Sequence, residues 1–217
     1  RTVVNVAWAQ QRADHGEQPY WLGITLACLL GQVGTPGGGF ALAYGPVNAE
    51  GANARTFSGA RVPQGINPVR RSIPVARITD MLENPGAPYD FNGKSHTYPD
   101  IRLIYWAGGN PFHHHQDLNR LVRAWRRPET IVVNEQFWNA NAKMADIVLP
   151  ATTMLERDDI GSASKDRYMI AMKRAIDPVG EARDDYDIFA GIAQRLGAKE
   201  TFTEGRSAAA WLRHLYD

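Results

Sequence analysis

The sequence is poor in several things, and each shortage removes a class of function. It holds one cysteine, Cys28, in 217 residues, which excludes an intrachain disulfide, a zinc knuckle and an iron–sulfur cluster carried by this chain alone. It has no surplus of either charge: 24 Lys and Arg stand against 23 Asp and Glu, a formal charge of +1. Binding to nucleic acid rests mainly on clustered positive charge. No broad nucleic-acid surface is therefore expected, and Arg70, Arg71, Arg123, Arg126 and Arg127 read as solvated faces. Long apolar runs are missing too. The longest, Tyr20 to Leu30, is about half the roughly 20 residues a membrane span requires, so no span is encoded. There is no internal repeat, no Cys-x-x-Cys pair, no P-loop and no nucleophile-elbow serine. A chain without disulfides suits cytoplasm and periplasm alike; the cytoplasm is the expectation here, with the periplasm left open.

What is present is ordinary globular composition, 44% hydrophobic and 22% charged, long enough for one large or two small domains. The chain starts on Arg1 and enters Thr2-Val3-Val4-Asn5-Val6-Ala7-Trp8 without a loop or cap. It therefore reads as a piece of a longer polypeptide, and a catalytic group can lie in another part. Two stretches differ in character. In residues 1–100, Pro19 suits the first turn of a helix that runs to Leu30 and is apolar all round, so burial is expected. Gly31 to Gly39 ends that helix. Ala41 to Pro99 is rich in Gly, Pro, Asn and Arg, with one short helical candidate from Ile73 to Leu82; irregular segments of that size are usually functional or pack against something else.

Residues 101–217 alternate strands with helices. Ile101–Trp106, Thr130–Asn134 and Ile147–Leu149 read as strands, and so does Arg167–Arg174. Gln116–Trp125, Asn141–Ala145, Asp185–Leu196 and Arg206–Tyr216 read as helices. That alternation predicts an α/β fold with a mainly parallel, doubly wound, Rossmann-like sheet and helices on both faces.

In open α/β sheets ligands sit beyond the carboxyl ends of the strands. The first such end here is Ala107-Gly108-Gly109-Asn110-Pro111 and the second is Asn134-Glu135. Gly108 and Gly109 let a ligand approach the backbone, while Asn134 or Glu135 can accept hydrogen bonds from ribose or a base edge. The plainer reading is a tight turn after a strand, since Gly-Gly-Asn-Pro is not the dinucleotide fingerprint. His113-His114-His115 suggests a metal, but consecutive residues on a helix point about 100° apart and do not converge on one ion. Hydrogen bonding to a ligand, or capping, is the preferred reading. His15, His96 and His214 are isolated and read as structural. Glu156, Asp158 and Asp159 flank Arg157 and read as a solvated turn.

Three blocks carry a further signal: Trp106-Ala107-Gly108-Gly109-Asn110-Pro111-Phe112-His113-His114-His115-Gln116-Asp117, then Ala145-Asp146-Ile147-Val148-Leu149-Pro150-Ala151-Thr152-Thr153, then Glu181-Ala182-Arg183-Asp184-Asp185-Tyr186. In that order they resemble the molybdopterin oxidoreductases of the dimethyl sulfoxide reductase family. Gln11 to Pro19 and Gly34 to Phe40 are similar to one subgroup, the biotin sulfoxide, dimethyl sulfoxide and trimethylamine N-oxide reductases, nearest its biotin sulfoxide branch.

The resemblance implies an interior domain of a large enzyme that reduces S-oxides or N-oxides by oxygen-atom transfer. It implies molybdenum bis(molybdopterin guanine dinucleotide) as cofactor, with the metal-ligating serine and most of the substrate pocket in other segments. The remaining domains of the parent enzyme, and an electron-donor protein or reduced nicotinamide, are the implied partners. Carried over residue by residue, cofactor contacts fall on Trp8, Arg12, Gly109, Asn110, His114, Asn134, Ala151 and Asp185; no catalytic group and no metal ligand falls in this chain. Trp8 has core packing as its plainer alternative. Asp185 either reads the N1 and N2 donors of guanine or caps the following helix. No contact is assigned from Ala41 to Pro68. At the level of the whole chain, the alternative is a non-catalytic α/β nucleotide-binding or structural module.

Overall fold

The computed structural model describes residues 1–42, 60–69, 71–162 and 168–217. Most of the Gly- and Asn-rich stretch after Ala41, Arg70, and Arg167 at the head of an expected strand lie outside the described residues. The chain is mixed α/β and divides into two units. One comprises Arg1–Gly59 with Ser162–Met169, the other Ala60–Gly161 with Ile170–Asp217.

In the first unit β1 (Val3–Val6) runs parallel to β2 (Gly39–Leu42), with Val3 opposite Gly39 and Val6 opposite Leu42. A single 3-10 turn, Trp8–Arg12, leads from β1 toward α1 (Gln18–Leu29), which has Pro19 in its first turn. Burial of α1 was expected, and the structure corrects this. Only Gly23 and Ala27 are buried, whereas Leu22 is 68% and Leu29 81% exposed. The reason is geometric. A two-stranded sheet covers one stripe of a helix, and residues four apart share that stripe. Gly23 is the closest approach: a Cβ there would lie 2.9 Å from the side chains of both Val6 and Phe40.

The second unit holds the regular half together with residues 60–100. A 3-10 turn at Val75–Arg77 leads into α2 (Ile78–Glu83), where the sequence predicted a helix. A hairpin then follows that the sequence reading missed, β3 (Pro88–Phe91) antiparallel to β4 (Lys94–Thr97). Its loop is Asn92-Gly93, both at positive φ, 50° and 70°. That dipeptide is the strongest short-range hairpin signal in a sequence.

Three parallel strands come next: β5 (Leu103–Ala107), β6 (Thr130–Glu135) and β7 (Ile147–Pro150), adjacent in chain order. Between β5 and β6 lie α3 (Pro111–His114) and α4 (Leu118–Ala124), and between β6 and β7 lies α5 (Ala140–Lys143). β8 (Asp159–Ser162) and β9 (Met169–Met172) make a separate two-stranded sheet. The chain closes with α6 (Asp185–Arg195), α7 (Lys199–Thr203) and α8 (Ala208–Tyr216). The sequence showed neither β8 nor α7.

The core of this unit gathers Leu121 and Ala124 of α4, Phe112 of α3, Ile131 and Val133 of β6, Leu82 of α2, and Tyr89, Tyr98 and Trp125. The Tyr89 and Tyr98 rings stack at 4.2 Å, and Phe112 meets Trp125 edge-on at 5.4 Å. Residues 73–98 are thus built into the same core as the parallel sheet. Arg120 of α4 adds a polar tie, since its guanidinium donates to Asp80 and, at 2.7 Å, to Glu83 of α2.

The contrast between a core leucine and an uncovered one is measurable on the 217-residue chain. Leu121→Ala leaves a cavity where the side chain is fully buried and should cost about 2–5 kcal/mol in urea unfolding. Leu22→Ala in α1 should cost about 0.5 kcal/mol or less. Equal losses at the two positions would contradict the described packing.

Candidate functional site

The register of the parallel sheet decides where its polar residues collect. Ala107 pairs with Asn134, Asn134 with Leu149, and Glu135 with Pro150. The three carboxyl ends are therefore level, and a cavity of about 350 Å³ opens just beyond them.

The loop after β5 supplies its first wall. Gly108 and Gly109 hold φ of 78° and 73°, and a Cβ at either would meet no atom within 4 Å, so bare backbone faces open space. Trp106 Nε1 donates to Gly108 O at 2.9 Å and fixes the turn. Asn110 caps α3, its Oδ1 accepting from the Phe112 amide at 3.0 Å. That leaves Nδ2 without a hydrogen bond among the described residues. Asp117, held at φ 44°, starts the next helix by accepting from Arg120 N at 3.1 Å. The histidine triplet is confined between these two caps. His113 and His114 line the cavity, whereas the His115 ring lies edge-on to Trp106 at 6.2 Å. Burial, and then the neighbouring His114, depress the His115 pKa. Among the described residues no three His, Cys, Asp or Glu side chains gather as a metal site.

The end of β6 supplies the centre. Asn134 is 5% exposed. Its Oδ1 accepts from the Tyr105 hydroxyl at 2.7 Å, and its Nδ2 donates to Asp185 Oδ1 at 2.8 Å. Burial raises the Tyr105 pKa; the bond to Asn134 opposes the rise, and the Asp185 charge adds to it. Glu135 is tied at both oxygens, by the Gln136 amide at 2.9 Å and by Asn139 Nδ2 at 2.6 Å. Gln136 Nε2 donates to Thr152 O at 2.9 Å.

The third wall arrives from far along the chain. Ala151 forms a parallel bridge with Arg183; Arg183 N donates to Pro150 O, and Thr152 N to Arg183 O, each at 3.1 Å. That extension of β7 delivers Asp184 and Asp185 to the strand ends. The cap position of α6 belongs to Asp184, which makes no side-chain cap bond and instead accepts from Thr152 Oγ1 at 2.7 Å. Asp185 is the first residue of the helix. The capping alternative for Asp185 is thereby corrected: its carboxylate faces Asn134 and the cavity.

Gly109, Asn110, His114, Asn134, Ala151 and Asp185 therefore line one cavity. Trp8 and Arg12 sit in the 3-10 turn of the other unit, where Trp8 is 43% exposed. Gln136 and Asn139 also line the cavity and were not foreseen. Asn139 also caps α5, its Oδ1 accepting from Ala142 N at 3.1 Å, and an Asn just ahead of an expected helix is the signal that could have found it.

A correction concerns the acidic cluster. Glu156 is not on a solvated turn; it is 5% exposed and accepts from the amides of Thr153 and Val179, both at 2.7 Å. These amide bonds, with Thr153 first, hold its pKa below the usual glutamate range. A depressed folded-state pKa contributes stability that is complete above the unfolded value and is lost as pH falls through it to the folded one. Glu156→Gln should therefore lower the melting temperature at pH 7, and the gap to wild type should close as pH drops below about 4.3. A gap unchanged from pH 7 to pH 3 would refute this role.

Comparison with known proteins adds a finding of a different kind. The family model described as Molybdopterin oxidoreductase matches residues 1–195. Biotin sulfoxide reductase of Cereibacter sphaeroides is 51% identical over 217 residues, covering 100% of this chain and 29% of that protein. The dimethyl sulfoxide/trimethylamine N-oxide reductase of Rhodobacter capsulatus is 46% identical over 229 residues, and the trimethylamine-N-oxide reductase of Haemophilus influenzae is 43% identical over 231. Each of these two covers 100% of this chain and 28% of its own length. The chain thus spans under a third of the relatives it matches.

Proposed function

The chain belongs to the molybdopterin oxidoreductase family, and from that premise we propose that it holds one molybdopterin guanine dinucleotide within a molybdenum-dependent enzyme that reduces S-oxides or N-oxides. One observation carries the proposal: Gly109, Asn110, His114, Asn134, Ala151 and Asp185 surround a single cavity at the carboxyl ends of parallel strands, where ligands of open α/β sheets sit. The finer fold we propose for β5, β6 and β7 is accordingly a segment of a doubly wound, Rossmann-like sheet.

The residues fit the group chemically. Bare backbone at Gly108 and Gly109 admits a close-lying ligand. His113, His114 and the Asn110 amide offer donors to phosphate oxygens. Asp185 keeps Oδ2 free of hydrogen bonds among the described residues and a second lone pair on Oδ1 beside the bond from Asn134, so its two oxygens can accept from guanine N1–H and N2–H, a charge-assisted pairing. Trp8 and Arg12 are proposed as further contacts from the first unit. When bound, the cofactor supplies two-electron oxygen-atom transfer at molybdenum; the work of this chain is binding and orientation. Substrates of the kind named for the relatives, a second dinucleotide around the same metal, an electron-donor protein or reduced nicotinamide, and the remaining domains of the parent polypeptide complete the proposal.

Substitutions at two positions in the full-length protein test it. Asp185→Asn leaves one acceptor oxygen and Asp185→Ser is too short to span two donors, so bound guanine nucleotide, released by acid and quantified, should fall on the order of tenfold in both. Normal content in both would sink the guanine reading. His114→Ala should lower pterin occupancy, with zinc and nickel absent by elemental analysis before and after. Stoichiometric zinc lost on substitution would instead make the triplet a metal site.

A further inference from the structure

We infer that Tyr105 is a positioning residue for purine selectivity, acting through Asn134 to fix the plane of the Asp185 carboxylate, an inference that rests on the guanine reading of Asp185. In the parallel register Tyr105 lies opposite Val132, and Ala107 lies opposite Asn134. Tyr105 and Asn134 are thus diagonal neighbours on one face of the sheet, within reach of a long side chain. The tyrosine hydroxyl donates to Asn134 Oδ1 at 2.7 Å, and Asn134 Nδ2 donates to Asp185 Oδ1 at 2.8 Å. The two ends of a side-chain amide are nearly alike in shape, so its orientation is set by its partners. Here both ends are held.

The consequence falls on Asp185. With Oδ1 engaged, the carboxylate plane is set and Oδ2 is presented in a fixed direction. A fixed pair of oxygens meets the two donors of guanine together. A carboxylate free to rotate meets a single N1–H equally well in guanine and in hypoxanthine, which lacks the N2 amino group. Tyr105 should therefore govern the preference between the two bases more than affinity for a purine as such. Its ring also stands 5.3 Å from that of Phe189 in α6, so a purely packing role is the competing account. Tyr105→Phe retains that packing and removes only the hydroxyl.

The test measures binding of guanosine 5′-monophosphate and inosine 5′-monophosphate to the full-length protein prepared free of cofactor. Wild type should prefer the guanosine nucleotide on the order of tenfold. In Tyr105→Phe the inosine affinity should stay within about twofold, while the preference falls to about threefold or less. Asn134→Ala should lower the preference at least as far, and adding Tyr105→Phe to it should change nothing more, because residues acting through one another are non-additive. A full preference retained in Tyr105→Phe, or an additive loss in the double variant, would overturn the relay while leaving the guanine reading intact. Wild type without any preference would overturn the guanine reading itself and the relay with it. If Tyr105→Phe does not fold, Asn134→Ala decides alone, since it cuts the relay from its other end, and an unchanged preference there refutes the inference.

Discussion

The pairing of Ala107 with Asn134 and of Asn134 with Leu149 is the constraint on which the rest of the second unit depends. Side chains alternate faces along a strand, so a slip of one residue would turn Asn134 away from Tyr105 and Asp185 and expose Val133 in its place. The buried face of β6 opposes such a slip. Ile131 and Val133 are fixed against Leu121, Ala124 and Trp125, and moving them into water would cost about 1.5–3 kcal/mol for each side chain. An apolar core on one face of β6 thus sets the register that positions the polar site.

Much of this was legible in the sequence. Short apolar runs followed by Gly-Gly or Asn-Glu gave β5 and β6 and their carboxyl ends, and the helix expected over Gln116–Trp125 contains α4. Six of the eight residues that the family resemblance selected line one cavity, while Trp8 and Arg12 belong to the other unit. What the sequence did not show were contacts between distant segments. The bridge from Ala151 to Arg183 joins positions whose pairing leaves no local periodicity, and it decides that Asp185 faces the cavity while Asp184 takes the cap position. Glu156 was misread for a related reason. Its partners are backbone amides at Thr153 and Val179, and a carboxylate satisfied by amides looks the same in sequence as one facing water. The hairpin at Asn92-Gly93 was different, because its signal lay in plain view within a segment whose composition suggested irregular chain.

The exposed α1 has a third kind of explanation. Its residues are apolar on every side, and that pattern signals burial all round only when elements cover every face. β1 and β2 cover the stripe through Gly23 and Ala27. A helical sequence states how much apolar surface it carries and leaves open which neighbours will cover it.

The donors and acceptors left over around the cavity set the shape of the ligand problem. On the β5 side, the Asn110 oxygen is turned to the Phe112 amide, and its NH₂ group stands as a donor next to His113 and His114. On the α6 side, Asp185 has one oxygen engaged by Asn134 and an acceptor left to offer. Glu135 accepts one bond at each oxygen, from Gln136 and from Asn139, and brings a further negative charge to the cavity wall. A complementary molecule must be rich in acceptors at one end and present adjacent N–H donors at the other. A phosphate joined to guanine has that polarity, whereas adenine, with an acceptor at N1, would leave the Asp185 carboxylate facing a lone pair. Asp185 is half-buried, and a hydrogen-bonding group left unpaired once a ligand has displaced its water costs about 1–3 kcal/mol. Under the proposed guanine reading, the bonds spent inside the protein therefore bear on base choice as much as those left over.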